Sequence, residues 1–285
     1  MPSTSGTCRL TGAHGRYVRS HLIPKALTRP AIQGAPFIQA APGRRPVRCF
    51  GSWFDRELVT REGEDILEYL DTLAIAEMRR LKLLWSAPFT DPPSDGTRAI
   101  SEIVAMRRIR GVNGPVLRRF LLSLPWRAAA TKRPGFEDIA LRGDELEHLG
   151  DLVTGRRTAD QDFYPVTLMQ LLPPCEARNM APIALTLPEV GEPGNPSSTL
   201  SGSRFYFDGL VANFQRPEPF ATDTDGSGVE FVGGDTLVVG LIDFRSSFQK
   251  KNNDLVIAES NVAWPDVMKK LWLGRLGASM RKSSK

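Results

Sequence analysis

Cysteine and histidine are scarce in this chain, which carries three of each among 285 residues. Three scattered cysteines do not make the disulfide framework typical of small secreted proteins, so we expect a reducing, cytoplasmic environment. The opening residues, MPSTSGTCRLTG, have no apolar segment of signal-peptide length. No run in the sequence approaches the roughly 20 apolar residues of a membrane helix, so we expect no transmembrane segment.

Two common catalytic motifs are also missing from the sequence. There is no phosphate-binding G-x-x-x-x-G-K-[ST] loop and no G-x-S-x-G nucleophile elbow. Residues 221–228, ATDTDGSG, have the aspartate spacing that opens a calcium loop. The closing acidic ligand falls out of place, so this stretch predicts a turn.

Charge is distributed unevenly along the chain. Residues 1–133 carry 22 basic and 11 acidic residues, and residues 134–268 carry 9 basic and 21 acidic residues. Residues 269–285 add six basic residues and no acidic one. A basic front half is suited to a polyanion. The alternative is that the two halves pack on each other, or that two copies pair opposite charges.

Helical periodicity is confined to the middle of the chain. Apolar residues at helical spacing predict a long helix over residues 62–85, with acidic residues in its first turn and basic residues near its end. Further helices are predicted over residues 97–110, from residue 115 onward, and over residues 144–153. Pro125 is expected to kink or break the third of these helices.

After residue 160 the pattern changes to β-structure. Asp208-Gly209 lies between two short apolar runs and predicts a two-residue hairpin turn. The predicted strands cover residues 164–172, 203–207, 210–214, 236–244 and 255–259. Residues 265–285 predict a basic amphipathic helix with a polar end, for which docking onto the protein, membrane-surface binding and nucleic-acid binding are alternatives.

The segment from Cys8 to Arg29 looks most like a chemical site. It holds one of the three cysteines and two of the three histidines. Within it, His21 precedes an apolar pair and Pro24, and Lys25-Ala26-Leu27 predicts the first turn of a helix. A histidine at such a junction titrates near neutral pH in the absence of other influences, so His21 is a candidate general base. The alternative is a structural histidine that holds the turn to the helix.

Three short motifs carry a resemblance to a known family. They are Cys8-Arg9-Leu10-Thr11, Ser20-His21-Leu22-Ile23-Pro24 and Cys49-Phe50-Gly51-Ser52. Together they resemble the HNH, or ββα-metal, endonucleases and their uncharacterised bacterial relatives, in which two C-x-x-C knuckles flank a motif of the form (E/D/S)-H-(I/V)-(I/V)-P. The stretch over residues 121–130 resembles a further segment of those relatives. The resemblance implies a small treble-clef-like module, phosphodiester hydrolysis with His21 as the catalytic residue, and Mg²⁺ or Mn²⁺ as cofactor.

The chain departs from that family at the metal positions. Thr11 and Ser52 stand where each knuckle has its second cysteine, and a structural zinc site needs four Cys or His ligands. We therefore expect that the structural zinc has been lost. Ser20 stands where the family often has an acidic residue that helps to hold the catalytic metal, so we assign no metal ligand.

The basic residues around these motifs are predicted to contact nucleic acid, because arginine near aromatic residues can bind both backbone and bases. They are Arg16, Arg19, Lys25, Arg29, Arg44, Arg45 and Arg48.

The sequence thus predicts an α+β protein in three regions. These are a treble-clef-like module over residues 1–61, a helical region over residues 62–157, and a mainly antiparallel β-rich region over residues 158–285 that ends in the basic helix. The predicted function is nucleic-acid binding with metal-dependent endonuclease activity. The alternative is a non-catalytic descendant that binds nucleic acid or a protein partner through the basic front half, as an interaction or scaffold module, or that associates with a second copy of itself.

Overall fold

The computed structural model describes residues 5–28, 37–87, 96–158, 163–175, 179–188, 199–216 and 232–270. Its helices are α1 (Arg61–Arg80), α2 (Gly114–Ala130), α3 (Gly143–Thr154) and α4 (Phe248–Ala263). Its strands are β1 (Ser5–Thr7), β2 (His14–Arg16), β3 (Ser20–His21), β4 (Phe37–Ala40), β5 (Val47–Cys49), β6 (Phe54–Asp55), β7 (Thr97–Ala99), β8 (Val104–Arg110), β9 (Val166–Leu172), β10 (Asn179–Met180), β11 (Ile183–Pro188), β12 (Thr199–Phe207), β13 (Leu210–Gln215) and β14 (Thr236–Asp243). The predicted α+β class is confirmed.

A seven-stranded sheet forms the largest element, with the strand order β11-β12-β13-β9-β14-β8-β7. Neighbouring strands within the sheet run antiparallel, except that β9 and β14 run parallel to each other. The sheet combines β7 and β8 with strands that follow residue 165. The β-rich region therefore extends into the part of the sequence that we predicted to be helical.

The predicted hairpin at Asp208-Gly209 is confirmed. Both residues have positive φ, 47° and 80°, as a two-residue turn of this kind requires. The Trp85 ring packs directly against the turn, so that a Cβ atom on Gly209 would clash with the indole nitrogen. Glycine is thus needed here for its backbone conformation and for the close approach of the ring.

Helix α2 packs against both α1 and α3 and is buried along most of its length. It runs without interruption through Pro125, so the expected break is absent. Proline removes one backbone hydrogen bond and crowds the preceding turn. Here the burial of residues on all sides of the helix, including Leu121, Leu124 and Trp126, outweighs that cost.

Two other predictions are wrong. Residues 97–110 form the hairpin of β7 and β8 and not a helix, because β8 pairs along its whole length with β14 and alternately buries Arg107 and Ile109. Residues 255–259 lie in α4 and not in a strand. That helix is capped by the Ser247 hydroxyl, which accepts a hydrogen bond from the Lys250 backbone at 3.1 Å.

Small sheets organise the front of the chain. β1 pairs with β2, β3 pairs with β6, and β4 lies between β10 and β5. The predicted helix over residues 265–285 begins as expected at residue 265 and is described to residue 270. The remainder of that prediction, and the turn predicted over residues 221–228, lie outside the described residues. No helix in the described parts of the chain combines the length and apolar character needed to cross a membrane.

Candidate nucleic-acid interface

His21 is held in place by its backbone. Strand β3 pairs antiparallel with β6, so that Ser20 faces Asp55 and His21 faces Phe54. The carbonyl of His21 accepts a hydrogen bond from Nη1 of Arg127 at 3.1 Å. The Arg127 side chain is almost fully buried and links this strand pair to helix α2. The motif histidine therefore sits where the small front sheets meet the helical core.

The electrostatic surroundings of His21 keep its ring neutral at neutral pH. Partial burial, together with the positive charges of Arg19, Lys25 and Arg127, lowers the pKa of His21 to about 4. Within the described part of the chain the imidazole forms no hydrogen bond, whereas the backbone carbonyl does. The hydrogen bond that ties His21 to the helical core is therefore made by its backbone carbonyl and not by its imidazole.

Acidic residues of α1 lie beneath the motif. Asp71 forms a two-pronged ion pair with Arg127, at 2.6 Å and 3.1 Å. Burial raises the pKa of Glu64, and the nearby Ser20 hydroxyl and Arg127 lower it only in part. The charge pattern along α1 suggested only a match to the helix dipole, so we missed this pairing. The feature of the sequence that could have indicated this pairing is Arg127, a charged residue within a long apolar segment.

Two of the carboxylates near His21, those of Asp55 and Asp71, are already engaged by other groups and are not free to hold Mg²⁺ or Mn²⁺. Asp55 accepts hydrogen bonds from the Glu57 backbone at 2.8 Å and from the Thr131 hydroxyl at 2.5 Å. Asp71 is engaged by Arg127. The described ranges contain no group of three or more His, Cys, Asp or Glu residues arranged to hold a metal ion. We therefore derive no catalytic step through a metal.

Two hydrogen bonds close the turn at Cys8. The Thr11 backbone N–H donates to Cys8 Sγ at 3.4 Å, and the Gly12 N–H donates to the Cys8 carbonyl at 2.9 Å. Burial raises the pKa of the Cys8 thiol, but hydrogen bonds led by those of Thr11 outweigh it, so the net pKa is lowered.

The other knuckle cysteine has a different environment. Cys49 donates from Sγ to the Phe37 carbonyl at 3.4 Å, and burial raises its pKa to about 11. Each sulfur thus forms a hydrogen bond with a nearby backbone group, Cys8 with Thr11 and Cys49 with Phe37. Loss of the structural zinc stays a prediction.

The predicted nucleic-acid contacts are on the protein surface wherever the structure describes them. The exposed residues are Arg16, Arg19, Lys25, Arg44, Arg45 and Arg48. Arg44 forms an ion pair with Glu137 at 2.8 Å, so its charge is already partly neutralised. Arg29 lies outside the described residues.

Three arginines surround one aromatic ring. The guanidinium carbons of Arg19, Arg133 and Arg56 lie 3.8, 5.4 and 5.7 Å from the centre of the Phe54 ring. We call Arg19, Phe54, Arg56 and Arg133 the arginine cluster. None of its three arginines forms an ion pair with any described residue, whereas arginines elsewhere, such as Arg142 and Arg156, do.

Sequence reasoning missed two members of the arginine cluster. Arg133 is far from the motif in sequence and arrives through α2, whose C-terminal Thr131 hydrogen-bonds to Asp55. Arg56 stands between two acidic residues, Asp55 and Glu57, which concealed it in the charge pattern. Asp55 is occupied by Thr131 and the backbone, and Arg56 turns toward Phe54 instead.

A second pair of basic and aromatic side chains continues the surface. The Arg48 guanidinium lies 5.6 Å from the centre of the Phe50 ring, and 65% of Phe50 is exposed to solvent. Next to Phe50, Gly51 lies against the Arg19 guanidinium, because a Cβ atom there would be 3.4 Å from Nη2. Arg48 and Phe50 therefore border the arginine cluster, and the surface contains arginines and aromatic rings together.

No protein-family model matches this chain, and no curated protein or solved structure matches it either. The resemblance to HNH endonucleases therefore stays a prediction from the three short motifs.

Proposed function

We propose that this protein binds nucleic acid through the arginine cluster, with Arg48 and Phe50 extending the contact surface. The observation that carries the proposal is the placement of three guanidinium groups around the Phe54 ring without an acidic partner among the described residues. One guanidinium group can donate two parallel hydrogen bonds to a phosphate, and it can also stack on an aromatic ring. This arrangement therefore suits the phosphate backbone of a nucleic acid.

The charge of the surrounding segment supports the proposal. The first 54 residues contain eight basic and no acidic residues. The guanidinium groups of the cluster repel one another because they share one ring. A bound phosphate relieves that repulsion, and it releases counterions from the nucleic acid at the same time. Binding should therefore be strong at low salt and should not depend on base sequence.

The test is a titration of fluorescently labelled DNA and RNA oligonucleotides, single-stranded and duplex, followed by anisotropy. A variant with Arg19, Arg56 and Arg133 changed to Gln should lose at least about tenfold in affinity, since each lost phosphate contact weakens binding. The matched control changes Arg142, Arg156 and Arg157 to Gln, which removes the same charge from ion-paired positions just before and just after α3. Equal losses in both variants would show that only net charge matters.

Endonuclease activity is a second candidate, and it belongs with the finer proposal of a treble-clef-like front module. Two observations favour it. The Cys8 turn has the N–H···S bonding of a knuckle, and His21 presents a neutral imidazole beside Arg19 and Lys25. A neutral imidazole has a free nitrogen that can accept a proton from water, but its pKa of about 4 makes it a weaker general base than one with a pKa near the working pH. Its test is cleavage that disappears in His21→Ala.

The protein-partner alternative also has a structural feature in its favour. A groove of about 780 Å³ lies between residues 40–46 and α4. Two of its apolar lining residues, Leu255 and Val262, are 64% and 86% exposed. If no nucleic acid binds at low salt, this groove becomes the preferred contact surface. Leu255→Glu should then abolish self-association measured by sedimentation.

A further inference from the structure

Two exposed aromatic residues stand at opposite ends of strand β5. At one end the Trp264 indole N–H donates to the Pro46 carbonyl at 3.4 Å, and 42% of Trp264 is exposed. At the other end is Phe50, which is 65% exposed. A single exposed ring is common on protein surfaces, but two exposed rings that flank one basic strand form a pattern that can bind a ligand. Two rings at the ends of one short strand suggest a shared ligand.

The strand between the two rings is basic, and among the described residues it pairs on one side only. β5 pairs with β4 and forms the outer edge of the three-stranded sheet β10-β4-β5. Its Val47 and Arg48 side chains are exposed, and Arg45 precedes it on the surface. At about 3.3 Å per residue, the four steps from Pro46 to Phe50 span roughly 13 Å. A flexible strand of a few nucleotides fits along this distance.

We propose that β5, with Trp264 and Phe50 at its two ends, is a stacking platform for single-stranded nucleic acid. This inference rests on the proposed function and narrows it to a substrate class. Aromatic rings stack on bases only where those bases are unpaired, whereas the bases of a duplex are already stacked on each other. Arg48 and Arg45 hold the phosphates alongside the strand, and the arginine cluster continues the path beyond Phe50.

The structure offers a matched control for the stacking residues. Tyr69 is 63% exposed, like Phe50, but lies on α1 next to the acidic residue Glu68. The variants Phe50→Ala, Trp264→Ala and Tyr69→Ala are compared on a labelled single strand and on a duplex of the same sequence. Phe50→Ala and Trp264→Ala should each weaken single-strand binding by roughly 5- to 100-fold, the usual effect of losing one base stack. Both should weaken duplex binding far less than single-strand binding, and Tyr69→Ala should change neither.

A second substitution separates stacking from apolar contact. Phe50→Trp should restore or strengthen single-strand binding, whereas Phe50→Leu should behave like Phe50→Ala because it keeps an apolar side chain without a ring face. Thermal melting of each variant checks that the fold is retained, which is expected for so exposed a residue.

The outcomes distinguish this inference from the function on which it rests. If single strand and duplex bind equally and Phe50→Ala is neutral, while the triple arginine variant loses binding, the stacking platform is wrong and nucleic-acid binding stands. If the parent binds neither form at low salt, both proposals are wrong. A loss confined to the single strand in Phe50→Ala and Trp264→Ala supports the platform.

Discussion

Protonation of His21 should destabilise the folded protein. Burial and the positive charges of Arg19, Lys25 and Arg127 lower its pKa to about 4, against 6.5 for the free side chain. The unfolded chain therefore binds a proton at a higher pH than the folded chain does. This contribution to stability is complete above pH 6.5 and is lost as the pH falls from 6.5 toward 4.

The size of this effect follows from the pKa difference. One pKa unit corresponds to about 1.4 kcal/mol, so the shift sets an upper bound of about 3.4 kcal/mol. His21 is only partly buried, and solvent screening reduces the value to roughly 1–2 kcal/mol. Acidification from pH 7 to pH 4.5 should thus lower the free energy of unfolding by that amount more in the parent than in His21→Gln, which has nothing to protonate at this position.

The titration can be followed directly because the chain has only three histidines. Proton–carbon NMR spectra of the imidazole groups should show one histidine that titrates near pH 4, and its signal should be absent from His21→Gln. Addition of nucleic acid should raise the pKa of His21, because bound phosphates offset the charges of Arg19 and Lys25. A His21 pKa of 6.5 or above in the free protein would refute the reasoning about its surroundings.

Three further predictions follow from individual contacts. Gly209→Ala should lower the free energy of unfolding by at least about 2 kcal/mol, because it adds a clash with the Trp85 ring to the cost of a left-handed backbone. The control is Gly12→Ala, which has a similar φ of 76° but no neighbour within 4 Å. In the same urea titration it should cost only about 1 kcal/mol. Arg127→Met should cost about 3 kcal/mol, because it leaves the partly buried Asp71 carboxylate without its cation. Adding Asp71→Asn should recover part of the loss, and no recovery would mean that Arg127 acts mainly through its other contacts. Asp55 and Asp71 are already engaged, and the described residues contain no group of three that could hold a metal, so with Mg²⁺ or Mn²⁺ the parent and His21→Ala should show the same background cleavage of a labelled oligonucleotide. Cleavage by the parent alone would establish the nuclease candidate.

Local signals predicted the elements that depend on neighbouring residues. The Asp208-Gly209 turn, helix α3 and the strand β14 were predictable because turn chemistry and apolar spacing lie within a few residues of each other. The strand β8 was not predictable in this way. Its sequence, VAMRRIR, is compatible with a helix, and pairing with β14 more than 120 residues later decides its conformation.

The residues of the candidate site also divide into those that nearby sequence indicates and those that only the fold brings into place. The sequence indicated Arg19 and Arg48, which lie close to the motifs, and it indicated His21 itself. Arg133 reaches Phe54 only because α2 carries its following loop back to β6, and no short-range pattern contains that information. The pairing of Asp71 with Arg127 likewise joins two helices that are distant in sequence. Sites assembled from separate segments are defined by the fold, so a motif search finds only the part that lies in one segment.

The salt dependence of nucleic-acid binding tests the central claim most directly. The measurement is the slope of the logarithm of the affinity against the logarithm of salt concentration, for the parent and for the variant with Arg19, Arg56 and Arg133 changed to Gln. If the arginine cluster holds phosphates, the parent slope should be steeper by about two to three, since each neutralised phosphate contributes roughly 0.7 to 0.9. Identical slopes, or no binding by the parent at low salt, would contradict the account.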